Sequence, residues 1–128
     1  MVSLCEITKQ NFWDCIDLEV SEGQREYVTS NAVSLAQSGY QPECIPLGIF
    51  SDGEMAGFAM YCIDADDGEY WIYRMMIDSR FQGRGYGKKA LELLEAGKKI
   101  QIEYDVKNSI LKIFELKIKR IQIGGIEQ

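Results

Sequence analysis

The chain has 128 residues, 46% of them hydrophobic and 27% charged, with a formal net charge of −6 at neutral pH. That length makes one ordinary domain able to bury a core without disulfide staples, and the composition excludes wholesale disorder and fibrous repeats. No apolar run approaches the roughly 20 residues of a membrane helix, and the N-terminal MVSLCEITKQ has no basic stretch followed by an apolar one, so a cytoplasmic location without a membrane partner is expected.

Histidine is absent, which removes the usual imidazole base, the triads built on it and the commonest zinc ligand. Chemistry must then rest on carboxylate, tyrosine, backbone amides or solvent. Cys5, Cys15, Cys44 and Cys62 are 10, 29 and 18 positions apart, matching neither a paired metal motif nor a redox CxxC, so reduced, mostly buried thiols and no metal are expected. The charge is unevenly placed. Residues 1–70 carry −11, with only Lys9 and Arg25 basic, whereas residues 71–128 carry +5. An acidic first part suits a cationic ligand and a basic second part an anionic one, while the overall sign argues against nucleic acid as a partner.

In chain order, residues 2–7 read as a short strand, and Thr8 as the cap of a helix with Phe12, Cys15, Ile16 and Val20 on one face. A second amphipathic helix is expected over about residues 30–37, with Val33, Leu35 and Ala36 inward and Gly39 as its stop. The period then changes. Residues 45–50 and 55–63 flank Ser51-Asp52-Gly53, a hairpin signature, because Asp-Gly readily takes the positive φ of a tight turn. A further turn at Asp66-Asp67-Gly68 leads to a long strand over residues 69–77, in which Trp71 is read as core.

Next comes Asp78-Ser79-Arg80-Phe81-Gln82-Gly83-Arg84-Gly85-Tyr86-Gly87-Lys88-Lys89, running into a helix with Ala90, Leu93 and Leu94 on one face, Leu91 on its flank and Gly97 as its stop. Ile100, Ile102, Tyr104 and Val106 alternate as a strand, which completes a crossover expected to pair parallel strands. Glycines at alternate positions let backbone amides and a helix N-terminus face an anion, most simply a pyrophosphate, with Arg80, Arg84, Lys88 and Lys89 around it. The NTPase loop does not fit, since Gln82 stands five positions before Gly87 and Lys89 follows Lys88. The dinucleotide fingerprint fails as well, because the spacing is GxGxG.

What matches is Q-x-x-G-x-G, spelled by Gln82, Gly85 and Gly87 between a strand and a helix. In this the sequence resembles the GNAT superfamily of acetyl-CoA-dependent N-acetyltransferases over about residues 2–106, and YWIYRMMIDSRFQGRGYGKKALELL resembles its spermine/spermidine branch. The resemblance implies an α/β (α+β) fold: a single domain over residues 1–128 with a mixed, mainly antiparallel sheet flanked by helices, splayed where acetyl-CoA enters between the strand ending at Ile77 and one beginning near Ile100. It implies that amides of Gln82, Gly83, Arg84, Gly85, Tyr86, Gly87 and Lys88 hold the pyrophosphate, and that Met75, Met76 and Ile77 line the pantetheine. An amide near Met76 or Ile77 would polarise the acetyl carbonyl. The expected acceptor is a polyamine or other small cationic amine, and its proton must pass to a carboxylate or water. Glu19, Glu22, Glu26, Glu43, Asp64, Asp66, Asp67 and Glu69 supply acidic groups for docking it, with Glu22, Glu43 and Glu69 as the candidates and Glu103 as the candidate base.

The sequence departs from the family over about residues 107–128. Asn108 fits a family asparagine that contacts the cofactor, but no tyrosine follows Tyr104, and Phe114 falls where the thiolate-protonating tyrosine is expected. A slower enzyme, or a catalytically weak cofactor-binding module, follows from that loss. The tail lacks the family's Gly-Phe, although its apolar alternation suits a strand, and the sheet edge left by missing strands invites a homodimer.

Overall fold

The computed structural model describes residues 1–63, 70–98 and 122–124. Among the described residues five strands, β1 (Val2–Glu6), β2 (Cys44–Ser51), β3 (Glu54–Ile63), β4 (Tyr70–Ile77) and β5 (Gln122–Gly124), lie side by side in that order. The first four are antiparallel, and β5 runs parallel to β4. The helices are α1 (Phe12–Asp17), α2 (Asn31–Tyr40) and α3 (Tyr86–Lys98), with a 3-10 turn at Glu22–Tyr27 between the first two.

The continuous apolar run of β3 explains the layering. A strand buried on both faces needs no alternation, and from Met55 to Cys62 β3 has none. One face packs Ile49, Ala59, Trp71, Ile72, Met75 and Ile77 against Ala90, Leu91 and Leu94 of α3. The other packs Cys44, Phe58, Met60, Cys62 and Met76 against Cys15, Leu18 and Val20. The sheet is therefore sandwiched, with α3 on one side and α1 and α2 on the other. The β2–β3 hairpin turns at Asp52 and Gly53, with φ of 51° and 84°, as Asp-Gly predicts.

Several local expectations are corrected. Helix α1 begins at Phe12 with Asn11 in the cap position, while the Thr8 hydroxyl accepts from the Gln10 amide in a turn of its own. Ser30 does cap α2, its Oγ accepting from the Val33 amide at 3.3 Å, and that cap sets the helix phase. Asn31, Ser34 and Leu35 consequently face the sheet, whereas Ala36 is exposed and Val33 is 55% exposed. Neither Gly39 nor Gly97 stops its helix, since α2 runs to Tyr40 and α3 to Lys98. Leu91 is fully inward and Leu93 only half-buried.

Four reduced thiols were expected, but Cys44 and Cys62 form a disulfide, leaving Cys5 and Cys15 free. Their spacing of 18 says nothing, yet the antiparallel register sets them opposite each other with Cα atoms 4.2 Å apart, the separation of a pair that does not share ladder hydrogen bonds.

Two features shape the outer edge of the sheet. Met60 pairs with Arg74 and Tyr61 with Ile72, so Tyr73 is an extra residue that bulges β4 and increases its local twist. Beyond the bulge, residues 122–124 pair with β4 over Arg74 to Met76; the strand expected to begin near Ile100 lies outside the described residues. Of the tail, residues 122–124 are described, and they form this strand. The inner edge is tight: a Cβ on Gly57 would stand 2.5 Å from the Met76 carbonyl oxygen, so only glycine lets β3 and β4 close there.

Candidate functional site

Where β4 ends, Asp78 ties three chain segments together. Its amide donates to the Ala56 carbonyl at 2.8 Å, and its carboxylate, 3% exposed, accepts from the Glu19 amide at 3.0 Å and from the Arg80 amide and Nε at 2.9 and 2.8 Å. Burial alone would push that carboxyl up, but the bond from the Arg80 side chain and those from the two amides outweigh it and hold it below its ordinary value. The Ser79 amide returns a bond to the Glu19 carbonyl at 2.8 Å. The residues before the first 3-10 turn and the start of the glycine loop thereby share one anchor.

After a short 3-10 turn at Ser79–Phe81, the Gln82 side chain straps the loop down. Its Nε2 donates to the Ile77 carbonyl at 2.8 Å and to Gln24 Oε1 at 2.9 Å, and its Oε1 accepts from Ser21 Oγ at 3.2 Å. Gln82 therefore fixes the loop through its side chain and leaves ligand contact to the backbone. Gly83 and Gly85 take φ of 80° and 79°, where a side chain is strained, and a Cβ on either would meet nothing within 4 Å. The glycines are needed for backbone direction, and the space beside them is open.

The first helical bond of α3 runs from the Lys89 amide to the Gly85 carbonyl, so the preceding amides lead the helix without an i−4 carbonyl. They carry the positive end of a helix dipole. Arg80 and Arg84 set their guanidinium carbons 5.2 and 5.3 Å from the Phe81 ring centre, which places two cations over the loop. Hydrogen bonding with Ser51, and then with Arg84, holds the Tyr86 phenol below its ordinary value. Loop backbone, helix dipole and guanidinium groups together suit a diphosphate.

On the opposite face of the sheet lies a cleft of about 400 Å3, between α1, the first 3-10 turn, α2 and β4, with Met76 in its wall. Ile16, Leu18, Val28 and Ala32 make it apolar, and Glu19, Arg25 and Asn31 are its polar and charged members of note. Met76 thus borders the cleft on one face of the sheet while its neighbours Met75 and Ile77 pack toward α3 on the other.

The loop residues expected from the sequence, Gln82 to Lys88, do come together at the end of β4 with Met75, Met76 and Ile77. The expected acceptor-binding residues do not gather. Glu22 is exposed and, among the described residues, pairs with Arg25 at 3.8 Å; Glu43 is exposed just before β2; neither lines the cleft. Glu69, Glu103 and Asn108 lie outside the described residues. The carboxylate that does line the cleft is Glu19. Sequence reasoning missed Asp78 and Asn31. An aspartate directly after a strand and two residues before an arginine was the one available signal for Asp78, since that spacing allows an Asx turn; nothing marked Asn31. Among the described residues no group of three or more histidine, cysteine, aspartate or glutamate side chains is placed to hold a metal, and no helix is long and apolar enough to cross a membrane.

The Acetyltransferase (GNAT) family matches residues 9–106. The chain is 33% identical to the spermine/spermidine N(1)-acetyltransferase of Bacillus subtilis strain 168, across 95% of this chain and 83% of that one. It is 32% identical, with the same coverage, to a probable spermine N(1)-acetyltransferase of Bacillus subtilis subsp. natto. Among solved structures it resembles the PaiA N-acetyltransferase of Thermoplasma acidophilum, crystallised with coenzyme A, at a TM-score of 0.53 and 14% identity over 77% of this chain and 72% of that one. A GNAT family acetyltransferase of Staphylococcus aureus gives a TM-score of 0.52 and 16% identity over 96% and 85%. With a mixed α/β sheet, a glycine loop leading α3 and the matched motif, the chain belongs to the GNAT acetyltransferase family.

Proposed function

We propose that this single-domain chain transfers an acetyl group from acetyl-CoA to a primary amine of a small polycation, with spermine or spermidine as the acceptor class. The observation that carries the reading is the loop after β4, where Gly83 and Gly85 hold positive φ ahead of α3 and beside Arg84. The polyamine class is supported by the relatives at 33% and 32% identity and by the charge of −11 over residues 1–70.

When bound, acetyl-CoA supplies the thioester carbon that the amine attacks. The residues of the chain do the rest. Amides of residues 83–88 and the cations of Arg84 and Lys88 hold the phosphates. The backbone at Met75 to Ile77 orients the acetyl arm, and an amide near Met76 or Ile77 meets the developing oxyanion. Arg80, paired to Asp78, sets the loop rather than the ligand. A carboxylate or water takes the ammonium proton, with Glu103 the candidate base and Asn108 a further cofactor contact. The acceptor approaches through the cleft bounded by Met76 and Glu19.

A second reading, a catalytically weak acetyl-CoA-binding module, is favoured by β5, which occupies the edge of β4 at Arg74 to Met76 where the resemblance puts the pantetheine, and by Phe114, which stands where the family tyrosine is expected. One assay separates them. The protein is incubated with acetyl-CoA and spermidine, and free thiol is followed. Amine-dependent thiol release supports transfer; tight cofactor binding without it overturns transfer and supports the module.

A further inference from the structure

The cleft holds one polar group with an unmet need. Asn31 is 5% exposed, and its Nδ2 donates to the Cys15 carbonyl at 2.9 Å and toward Met76 Sδ at 3.6 Å. A carbonyl only accepts, so the Cys15 contact decides which end of the amide is nitrogen. The remaining Oδ1 meets no donor among the described residues. A buried amide oxygen left without a donor is rare, and a ligand that brings an N–H resolves it.

The carboxylate of the cleft is in the opposite condition. Glu19 already holds a cation, the Arg25 guanidinium at 3.4 Å, and Arg25 also reaches Glu22 at 3.8 Å. Both side chains are more than half exposed, so this pair is weak and a competing cation displaces it at little cost. The Glu19 backbone, by contrast, is pinned to Asp78 and Ser79, so the point from which its side chain reaches out is fixed relative to the start of the glycine loop. Leu18, Val20 and Val28 line the same cleft, and their side chains suit methylene groups.

Resting on the amine-acetylation reading above, we propose that the cleft selects alkyl diamines. The reacting nitrogen donates to Asn31 Oδ1 beside Met76, and a distal ammonium takes the place of Arg25 on Glu19. Asn31 orients the attacking amine, and Arg25 is a tethered competitor that sets how strongly a second positive charge is rewarded. A monoamine of similar length uses Asn31 alone.

The test is calorimetric titration of spermidine and of n-butylamine into coenzyme A-loaded protein. Arg25→Gln is expected to bind spermidine about threefold tighter and Glu19→Gln about fivefold weaker, with n-butylamine unmoved in both, these being the sizes expected of half-exposed charge pairs. Asn31→Ala is expected to weaken both amines about tenfold, the loss of one well-placed hydrogen bond, with coenzyme A affinity and melting temperature reporting that the fold survives. Unchanged or weaker spermidine binding in Arg25→Gln overturns the proposal, as does an equal shift for n-butylamine or the absence of spermidine binding in the unmodified protein. If these shifts occur and no thiol is released from acetyl-CoA, the acetylation reading fails and the site stands. If thiol is released without the shifts, the reverse holds.

Discussion

Replacing Asp78 by asparagine removes a charge and one acceptor while keeping the shape of the side chain. The carboxylate accepts from the Glu19 amide at one oxygen and from the Arg80 amide and Nε at the other. An asparagine that keeps its oxygen toward Arg80 turns its NH2 toward the Glu19 amide, donor against donor. One buried N–H then loses its partner, at about 1–3 kcal/mol, the bond from the Arg80 amide becomes neutral, and that from Arg80 Nε loses its anionic acceptor. The Arg80 guanidinium is 64% exposed, so its share is discounted for screening, and relief of carboxylate burial offsets a little more. A net loss of about 2 kcal/mol follows, or a melting temperature lower by roughly 8 °C in a domain of this size.

The pH dependence has a definite sign. The folded pKa of Asp78 lies below its ordinary value of 3.8, so its contribution is complete above 3.8 and disappears as pH falls from there through the lower folded value. Urea unfolding of the wild type and of Asp78→Asn, at neutral pH and below 3.8, measures both effects. The gap between the two proteins is expected to be widest at neutral pH and to close in acid. Equal stability at neutral pH, or a gap that persists undiminished in acid, refutes the role given to this carboxylate.

Gly85→Glu keeps the fold at a cost of about 1–2 kcal/mol for a side chain at φ 79°, and is expected to abolish coenzyme A binding through a misdirected loop and a like charge; retained affinity by calorimetry overturns the loop assignment. Gly57→Ala places a methyl 2.5 Å from the Met76 carbonyl and 2.8 Å from Ile77 Cδ1, so a loss of about 3 kcal/mol in urea unfolding is expected, and unchanged stability would contradict the close strand contact. Denatured without reductant, the chain should expose Cys5 and Cys15 to a thiol reagent and withhold Cys44 and Cys62 until reduction; a signal from all four before reduction removes the disulfide. In the native state Cys5 should react first, because burial pushes the Cys15 thiol up to about 12 and leaves almost no thiolate.

Much of the site was legible because its residues are close in sequence and locally determined. Asp52-Gly53 dictates a tight turn wherever it falls between two apolar runs, and Gly83 to Gly87 dictate an amide-lined loop before a helix. The family pattern of Gln82, Gly85 and Gly87 is of the same kind. Helix phase was read less well. Val33 and Ala36 are apolar and periodicity puts them inward, but the Ser30 cap and the shape of the cleft turn Asn31 and Ser34 to the sheet instead. Periodicity counts apolar side chains and does not register a polar group that a pocket requires.

The class of chemistry is written in short stretches of the chain. A strand, a glycine loop, a helix and a split charge distribution are properties of short windows and of composition, and no folding is needed to read them. Which groups meet depends on how the chain packs. Asp78 becomes an anchor because residues 19 and 56 come to it, Cys44 and Cys62 pair because an antiparallel register sets them opposite, and Glu19 rather than Glu22 or Glu43 borders the cleft because its backbone is held at the end of β4. Each is a contact between residues far apart in the chain, set by strand register and helix phase, and in three dimensions those distances, not sequence spacing, select the partners.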